Sequence, residues 1–198
     1  MNAQVIWLAA LAGTFAVGSA SAQDDDDEFT FQAFLSGAQE VTPPDAPATP
    51  SLGVATEASG RTRIEFSRNL AEFEFRLDVR NGRRVTQAHL HCGRAGENGP
   101  VVVFLSDLNA DGADVNGTLA RGTRRNEHIE VGAEACEELI GQPVRNIASL
   151  AYAARKGLIY ANVHTVDNPA GEVRGQLIRD DDDLDDFDDD DDDDDDDR

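Results

Sequence analysis

The sequence predicts a mainly β protein: an antiparallel, Greek-key-like β-sandwich with a short helical insert and a disordered acidic tail. Three observations support this fold class. About ten segments of strand length follow one another at short spacing, which is typical of a sandwich and not of alternating β-α units. One later segment changes to helical spacing. The C-terminal residues are almost all aspartate, so they cannot bury apolar surface.

Both ends of the chain differ from the predicted domain. Residues 1–22 contain an apolar run and close with Ala20-Ser21-Ala22, the small-x-small pattern that a signal peptidase accepts, although no Lys or Arg precedes the run. An uncleaved membrane anchor is the alternative, but the run from Val5 to Val17 is shorter than the roughly 18 residues that span a bilayer. We therefore expect a secreted or periplasmic protein with no transmembrane segment in its mature form. The predicted boundaries are a signal peptide at 1–22, an acidic spacer at 23–28, the folded domain at 29–179 and the tail at 180–198.

The net charge of −22 belongs to the two ends. Residues 180–198 contribute −15 and residues 24–28 contribute −5, which leaves −2 for the body. Because aspartate runs repel phosphates, nucleic acid is excluded as the main partner. Dense carboxylates suit Ca²⁺ at low affinity, so the tail is interpreted either as a weak calcium or cationic-surface binder or as a solubilising segment.

The first strands follow from alternation and turn residues. Phe29–Leu35 places alternate apolar residues on one face and is predicted to be a strand. The four prolines of Val41–Pro50 predict a loop. Two short strands, Leu52–Ala58 and Arg61–Phe66, are predicted on either side of a tight turn at Ser59-Gly60.

Leu70–Val79 is the clearest strand in the chain. Its apolar residues alternate with charged ones, so one face is predicted to be buried and the other to be exposed. Asn81-Gly82 follows, and this pair is a strong hairpin signal. We expect the chain to turn back there into Arg84–His91.

The remaining elements are read in the same way. Pro100–Leu105 and Val115–Ala120 have strand length and composition. Between Ala133 and Arg155 apolar residues recur at three and four, which predicts one or two short helices ended by Gly157. Leu158–His164 and Glu172–Ile178 are predicted to pair around the Asn168-Pro169-Ala170-Gly171 turn.

Three of the four histidines lie in two predicted strands. Alternation places His89 and His91 on one face, together with Val85 and Gln87, and places His164 on the polar face of its own strand. If the strands are neighbours, three imidazoles converge in a geometry that suits copper or zinc. The alternative is three structural histidines that hydrogen-bond to turns, with Asn162 and Glu172 as partners. His128 is predicted to be solvated.

Other candidate sites are less specific. Cys92 and Cys136 are an even pair in a chain predicted to be exported, so a disulfide is favoured over a metal thiolate or two free thiols. Asp107, Asn109 and Asp111 match the first half of a calcium loop, but Thr118 stands where a bidentate glutamate belongs, which favours an ordinary turn. No catalytic nucleophile or phosphate loop is found.

Five segments in order closely resemble the CHRD domain family, which is named for repeats in the developmental regulator chordin and is widespread in exported bacterial proteins. The resemblance covers about residues 29–178 and implies a β-sandwich module outside the cytoplasm, with no established activity. The segments are Phe34-Leu-Ser-Gly-Ala-Gln-Glu-Val41, Ala88-His-Leu-His-Cys-Gly93, Asn98-Gly-Pro-Val-Val102, Tyr160-Ala-Asn-Val-His-Thr165 and Asn168-Pro-Ala-Gly-Glu-Val-Arg-Gly-Gln176.

A weaker likeness is to copper/zinc superoxide dismutase, another exported sandwich with a His-x-His strand and a disulfide. His89, His91 and His164 could stand for three copper ligands, but no fourth matching histidine and no histidine-rich zinc loop are present. The sequence therefore favours a non-enzymatic binding module for a partner protein or envelope component, with a dismutase-like metalloenzyme as the alternative.

Overall fold

The computed structural model describes residues 29–41 and 53–180. The predicted signal peptide, the acidic spacer, the tail from residue 181 and most of the proline-rich segment lie outside these described residues. The strands are β1 (Thr30–Ser36), β2 (Ser59–Phe66), β3 (Glu72–Cys92), β4 (Val101–Ser106), β5 (Ala113–Arg125), β6 (Ile159–Thr165), β7 (Val173–Gln176) and β8 (Ile178–Arg179). The helices are α1 (Glu137–Ile140) and α2 (Ile147–Arg155), with short 3₁₀ turns at Gly37–Gln39, Asn126–His128 and Val131–Cys136.

All strand pairs are antiparallel, which confirms the predicted fold class. The strand order is β2-β1-β7-β6-β3-β4, and β2 also pairs with β3, so five strands close into a barrel-like ring. β5 adds to β3, and β8 adds to β1. The sheet therefore curls back on itself around one core, a closed form of the predicted sandwich.

The 21-residue β3 is the central strand of the fold. Its first half lies between β2 and β5, and its second half lies between β6 and β4. The predicted hairpin at Asn81-Gly82 is wrong, because the chain does not turn back there and β3 continues past this point. Asn81 and Arg84 have positive φ angles of 53° and 48°, and the β3–β5 register shifts here, so the pair forms bulges that bend the strand.

The predicted strand at Leu52–Ala58 is also wrong over its described part. Residues 53–58 form no strand, and Ser59 and Gly60, which were predicted to make a turn, begin β2. The segment is held by other contacts: the Val54 amide donates to the Gly37 carbonyl at 2.8 Å, and the Thr56 hydroxyl donates to Glu172 at 2.6 Å. These long-range bonds replace the strand pairing that the local sequence predicts.

The core lies inside the ring and under α2. Phe66 bridges Phe31 and Phe73, with ring centroids 5.7 and 5.4 Å away. The predicted helical insert is confirmed: α2 begins at the Asn146 cap, whose side chain accepts from the Ser149 amide, and Gly157 follows it with a φ of 67°. In the part of the chain that the structure describes, no helix is long and apolar enough to cross a membrane.

Candidate metal centre

The register of β3 against β6 brings the three predicted histidines together. His89 lies opposite Asn162, and Gln87 lies opposite His164, so His164 is a diagonal neighbour of His89. Ala88 and Leu90 point into the core on the other face, as alternation predicts. Val85 does not share the histidine face: it packs in the hydrophobic core, and the register shifts between it and Gln87.

The three imidazoles are close enough to share one ion. One ring nitrogen from each of His89, His91 and His164 lies within 4.8 Å of the others. His89 Nδ1 is 3.3 Å from His91 Nε2. The ring centroid of His89 lies 4.6 Å from that of His164. These separations are near the spacing of nitrogens around a single zinc or copper ion, whose bonds to imidazole are about 2.0 Å.

Two of the rings are oriented by backbone carbonyls. His91 Nδ1 lies 2.9 Å from the Gly99 oxygen, and His164 Nδ1 lies 3.0 Å from the Pro169 oxygen. Because a carbonyl oxygen only accepts, each Nδ1 carries the proton and each Nε2 keeps its lone pair. His164 Nε2 is buried without a hydrogen-bond partner, as is His89 Nε2. The arrangement has the outer support that metal-binding histidines normally show.

Burial keeps the cluster neutral. His89, His91 and His164 are 3%, 8% and 6% exposed. Burial, followed by repulsion from His164 and His91, lowers the pKa of His89 to about 3. Burial also lowers the pKa of His91 to about 4, against the opposing effect of the Gly99 hydrogen bond. Burial lowers the pKa of His164 as well. Neutral imidazole is the form that binds a metal.

A buried clamp fixes the ring plane of His91. Tyr160 stacks on His91 with ring centroids 4.9 Å apart and planes within 4°, and the Arg174 guanidinium lies 3.5 Å above the other face of Tyr160. Gly99 completes the clamp, because its amide donates to the Tyr160 hydroxyl while its carbonyl accepts from His91. Arg174, only 1% exposed, also donates to the Asn98 side chain and the Arg94 carbonyl, which ties down the loop that carries Gly99.

The family model of the CHRD domain matches residues 31–177, nearly the whole described body. The chain belongs to the CHRD domain family. No curated protein and no solved structure gives a significant match. The family assignment confirms the resemblance drawn from the five motifs, and those motifs contribute the loops and strands around the histidines of this CHRD domain.

The alternative of structural histidines matches the structure in part: His91 and His164 hydrogen-bond to the Gly99 loop and the Pro169 turn, but Asn162 and Glu172 have other partners. Asn162 donates to Glu40 at 3.5 Å, and Glu172 accepts from Thr56, Thr165 and Asn168. Glu40 is 5% exposed, and burial raises its pKa to about 7 although Arg174 opposes the shift. Sequence reasoning missed both Glu40 and Arg174, although each stands in a motif that carries the family resemblance.

The other predicted site residues lie elsewhere in this CHRD domain. Cys92 and Cys136 are both buried, and no disulfide joins them in the structure. The neighbouring Cys92 thiol, together with burial, raises the pKa of Cys136. The disulfide stays a prediction, which alkylation in denaturant without reductant tests, because burial alone would protect both thiols in the folded protein: protection of both cysteines supports the bridge, and labelling of both excludes it.

The calcium candidates and the fourth histidine are also separate from the cluster. Asp107, Asn109 and Asp111 lie exposed in the loop between β4 and β5, where the Asn109 amide donates to the Thr86 carbonyl, and calcium binding there stays a prediction. His128 is half-buried and accepts from the Arg125 amide, so it caps a 3₁₀ turn.

Proposed function

We propose that this CHRD domain is an exported, non-enzymatic binding module for a partner protein or envelope component, and that it holds one copper or zinc ion at His89, His91 and His164. The observation that carries the metal assignment is the pair of carbonyl-anchored rings. His91 and His164 each donate the Nδ1 proton to a backbone carbonyl, so each Nε2 keeps the lone pair that a metal ion needs. Imidazole nitrogen suits both metals.

The burial of the three imidazole rings favours a site that binds a metal ion without catalysing a reaction. All three rings are less than a tenth exposed, and Phe104 packs edge-on against His89 with centroids 4.6 Å apart. Three histidines leave one position of a tetrahedral ion open, as catalytic centres do, but the burial of all three rings limits the access of a substrate to that position. The chain has four histidines, and His128 is engaged elsewhere, so a fourth imidazole ligand of the dismutase type is absent from the site.

The metal assignment is tested by copper(II) titration of the full chain followed by electron paramagnetic resonance. We expect one tightly bound copper per chain, with hyperfine coupling to imidazole nitrogen. That signal separates the histidine site from ions held by carboxylates of the tail, which are oxygen ligands. His164→Gln should weaken copper binding and reduce the number of coupled imidazole nitrogens from three to two, and His128→Gln, the matched control, should leave both unchanged. A wild-type signal with oxygen ligands alone would refute the proposal.

Two further measurements address the rest of the proposal. A superoxide assay on the copper-loaded chain should show no turnover above free copper, whereas copper-dependent turnover that His164→Gln removes would establish the dismutase alternative. Export is checked by sequencing the N-terminus of the protein recovered from outside the cytoplasm. We expect it to begin at Gln23, after the small-x-small pattern that ends at Ala22.

A further inference from the structure

A row of arginines crosses the outer face of the sheet. Arg76 on β3 lies directly opposite Arg63 on β2 and Arg121 on β5, and all three are exposed. Arg61 and Arg80 are also exposed, and they point to the same side because even numbers of residues separate them from Arg63 and Arg76. We call these five residues the arginine face.

The positive charge of the arginine face is only partly balanced. Asp78 lies opposite Arg61 and accepts hydrogen bonds from Arg76, so one carboxylate serves two guanidinium groups. Arg80 and Arg121 have no ion-pair partner in the part of the chain that the structure describes. Like charges on neighbouring strands repel one another, so this surface favours an anionic occupant.

The aspartate tail starts at this face. Asp180, the last described residue, forms an ion pair with Arg63, and its amide donates to the Thr30 carbonyl at 3.1 Å. These contacts hold the first residue of the tail beside the arginine row. Residues 181–198 contain fifteen aspartates and one arginine, which gives them a charge of −14. A strongly anionic segment is therefore attached to the edge of a cationic surface.

The tail is long enough to cover the arginine face. Neighbouring strands are about 4.8 Å apart, so the row from Arg63 to Arg121, two strands away, is about 10 Å long. An extended chain advances about 3.3 Å per residue, so residues 181–198 span up to roughly 60 Å, enough to turn back and cross the row. The attachment at Asp180 also gives the tail an effective concentration on the order of 1 mM at the face, which favours it over a free anion.

The tail and the face also match in apolar character. Phe34 is 55% exposed on the outer side of β1, where the Arg61 guanidinium lies 5.3 Å from its ring centroid, and Ile178 is 51% exposed on the neighbouring β8. Residues 181–198 contain two apolar side chains, Leu184 and Phe187. Packing of these side chains against the exposed pair would remove apolar surface of both partners from water.

We propose that the aspartate tail folds back onto the arginine face of its own chain. Its carboxylates pair with the arginine row, and Phe187 packs beside Phe34. The tail thus covers the cationic surface of the first half of β3 against other anions. This contact is independent of the metal site, which lies on the second half of β3 and on β6.

A single tryptophan in the tail tests the proposal. The full chain with Trp7→Phe and Phe187→Trp carries its only tryptophan at position 187. The Debye length is about 30 Å in 10 mM salt and about 3 Å in 1 M salt, so the tail should be docked in the first solution and released in the second. We expect acrylamide, an uncharged quencher, to quench the docked tryptophan at least twofold less efficiently than the released one.

Arg121→Glu, made in the same chain, should remove at least half of this protection in 10 mM salt. Lys156→Glu reverses the same charge at an exposed residue after α2 and is the matched control, which should keep the protection. Equal quenching in 10 mM and 1 M salt would overturn the proposal without any variant of the face. Protection that Arg121→Glu and Lys156→Glu leave equally intact would also overturn it, and protection that rises with protein concentration would assign the tail to a second copy of the chain instead of its own.

Discussion

The two halves of β3 have the same alternating pattern but different surroundings. In the first half, Phe73 and Phe75 are buried, and the alternate residues Glu74 and Arg76 are exposed. In the second half, Ala88 and Leu90 are buried, and so are the alternate residues His89 and His91. The polar face of the second half is covered by the loops that carry Gly99 and Pro169. Alternation thus decides which face joins the core, and loop coverage decides whether the other face becomes a site.

The core face of β3 should contribute equally to the free energy of unfolding in both halves of the strand. Leu77 and Leu90 are both 0% exposed, one in each half. Leu77→Ala and Leu90→Ala should each lower the free energy of unfolding by about 2–5 kcal/mol, since each leaves a cavity in a packed core. Denaturant unfolding of the metal-free protein measures both. A cost at Leu90 far below that at Leu77 would show that the second half relies on its polar face instead of its core face.

The sequence predicts the histidine cluster because the cluster depends on local alternation and on one strand pairing. The same logic fails at Asn81-Gly82. A positive φ at Asn81 serves a hairpin or a bulge equally well, and the choice depends on β5, which continues to pair with β3 from Val79 to Val85 across this point. The paired residues lie from 28 (Val85 to Ala113) to 38 (Val79 to Gly117) positions apart in the chain, so the pairing has no local signal.

Glu40 and Arg174 show a second limit of sequence analysis. Both are charged residues that hydropathy places at the surface, yet they are 5% and 1% exposed. They are buried because separate loops close over the histidine face. Gly171 lies against Glu40: a Cβ there would meet the Glu40 carboxylate at 2.8 Å, so glycine is required for the close approach. Only the family motifs contained a signal for these positions.

The clamp on His91 is found only in the second half of β3, and its removal should have the next largest effect on stability. Arg174→Met should keep an apolar stem on Tyr160 but leave the Arg94 carbonyl and Asn98 without their donor. We expect a loss of about 1–3 kcal/mol in unfolding free energy and a 10- to 100-fold loss of copper affinity, because the outer support of a ligand is removed. Arg83→Met, at an exposed arginine of β3, is the control. Equal copper affinity in both variants would show that the clamp does not position His91.

The pH dependence of stability should come from the buried polar face. The pKa values of His89 and His91 fall from 6.5 to about 3 and about 4 on folding, so the metal-free chain is fully stabilised above about pH 6.5 and loses stability as the pH falls toward 4. Glu40 acts in the opposite sense: its pKa rises from 4.5 to about 7, so its contribution is present below about pH 4.5 and is lost as the pH rises through 7.

The histidines outnumber Glu40, so the net result is a loss of stability on acidification. Between pH 6.5 and 5.5 we expect a loss on the order of 1 kcal/mol, given about 1.4 kcal/mol for each pKa unit. Denaturant unfolding in chelator at a series of pH values measures it. His89→Gln should flatten the dependence, and Glu40→Gln should steepen it. The same slope in both variants would place the responsible groups elsewhere.

A substitution on the exposed face of the first half of β3 should have the smallest effect on stability. Arg76 is 57% exposed in its side chain, and it bonds to both carboxylate oxygens of Asp78. It also lies directly opposite Arg63 on β2 and Arg121 on β5, so three like charges stand side by side across the sheet. Arg76→Gln removes a solvent-screened ion pair and relieves this repulsion at the same time, and the two changes oppose each other. We expect the thermal midpoint to move by less than about 1 °C, at low and at high salt alike. A drop of several degrees at low salt that disappears at high salt would show that the ion pair outweighs the repulsion, and that this face contributes to stability as the covered face does.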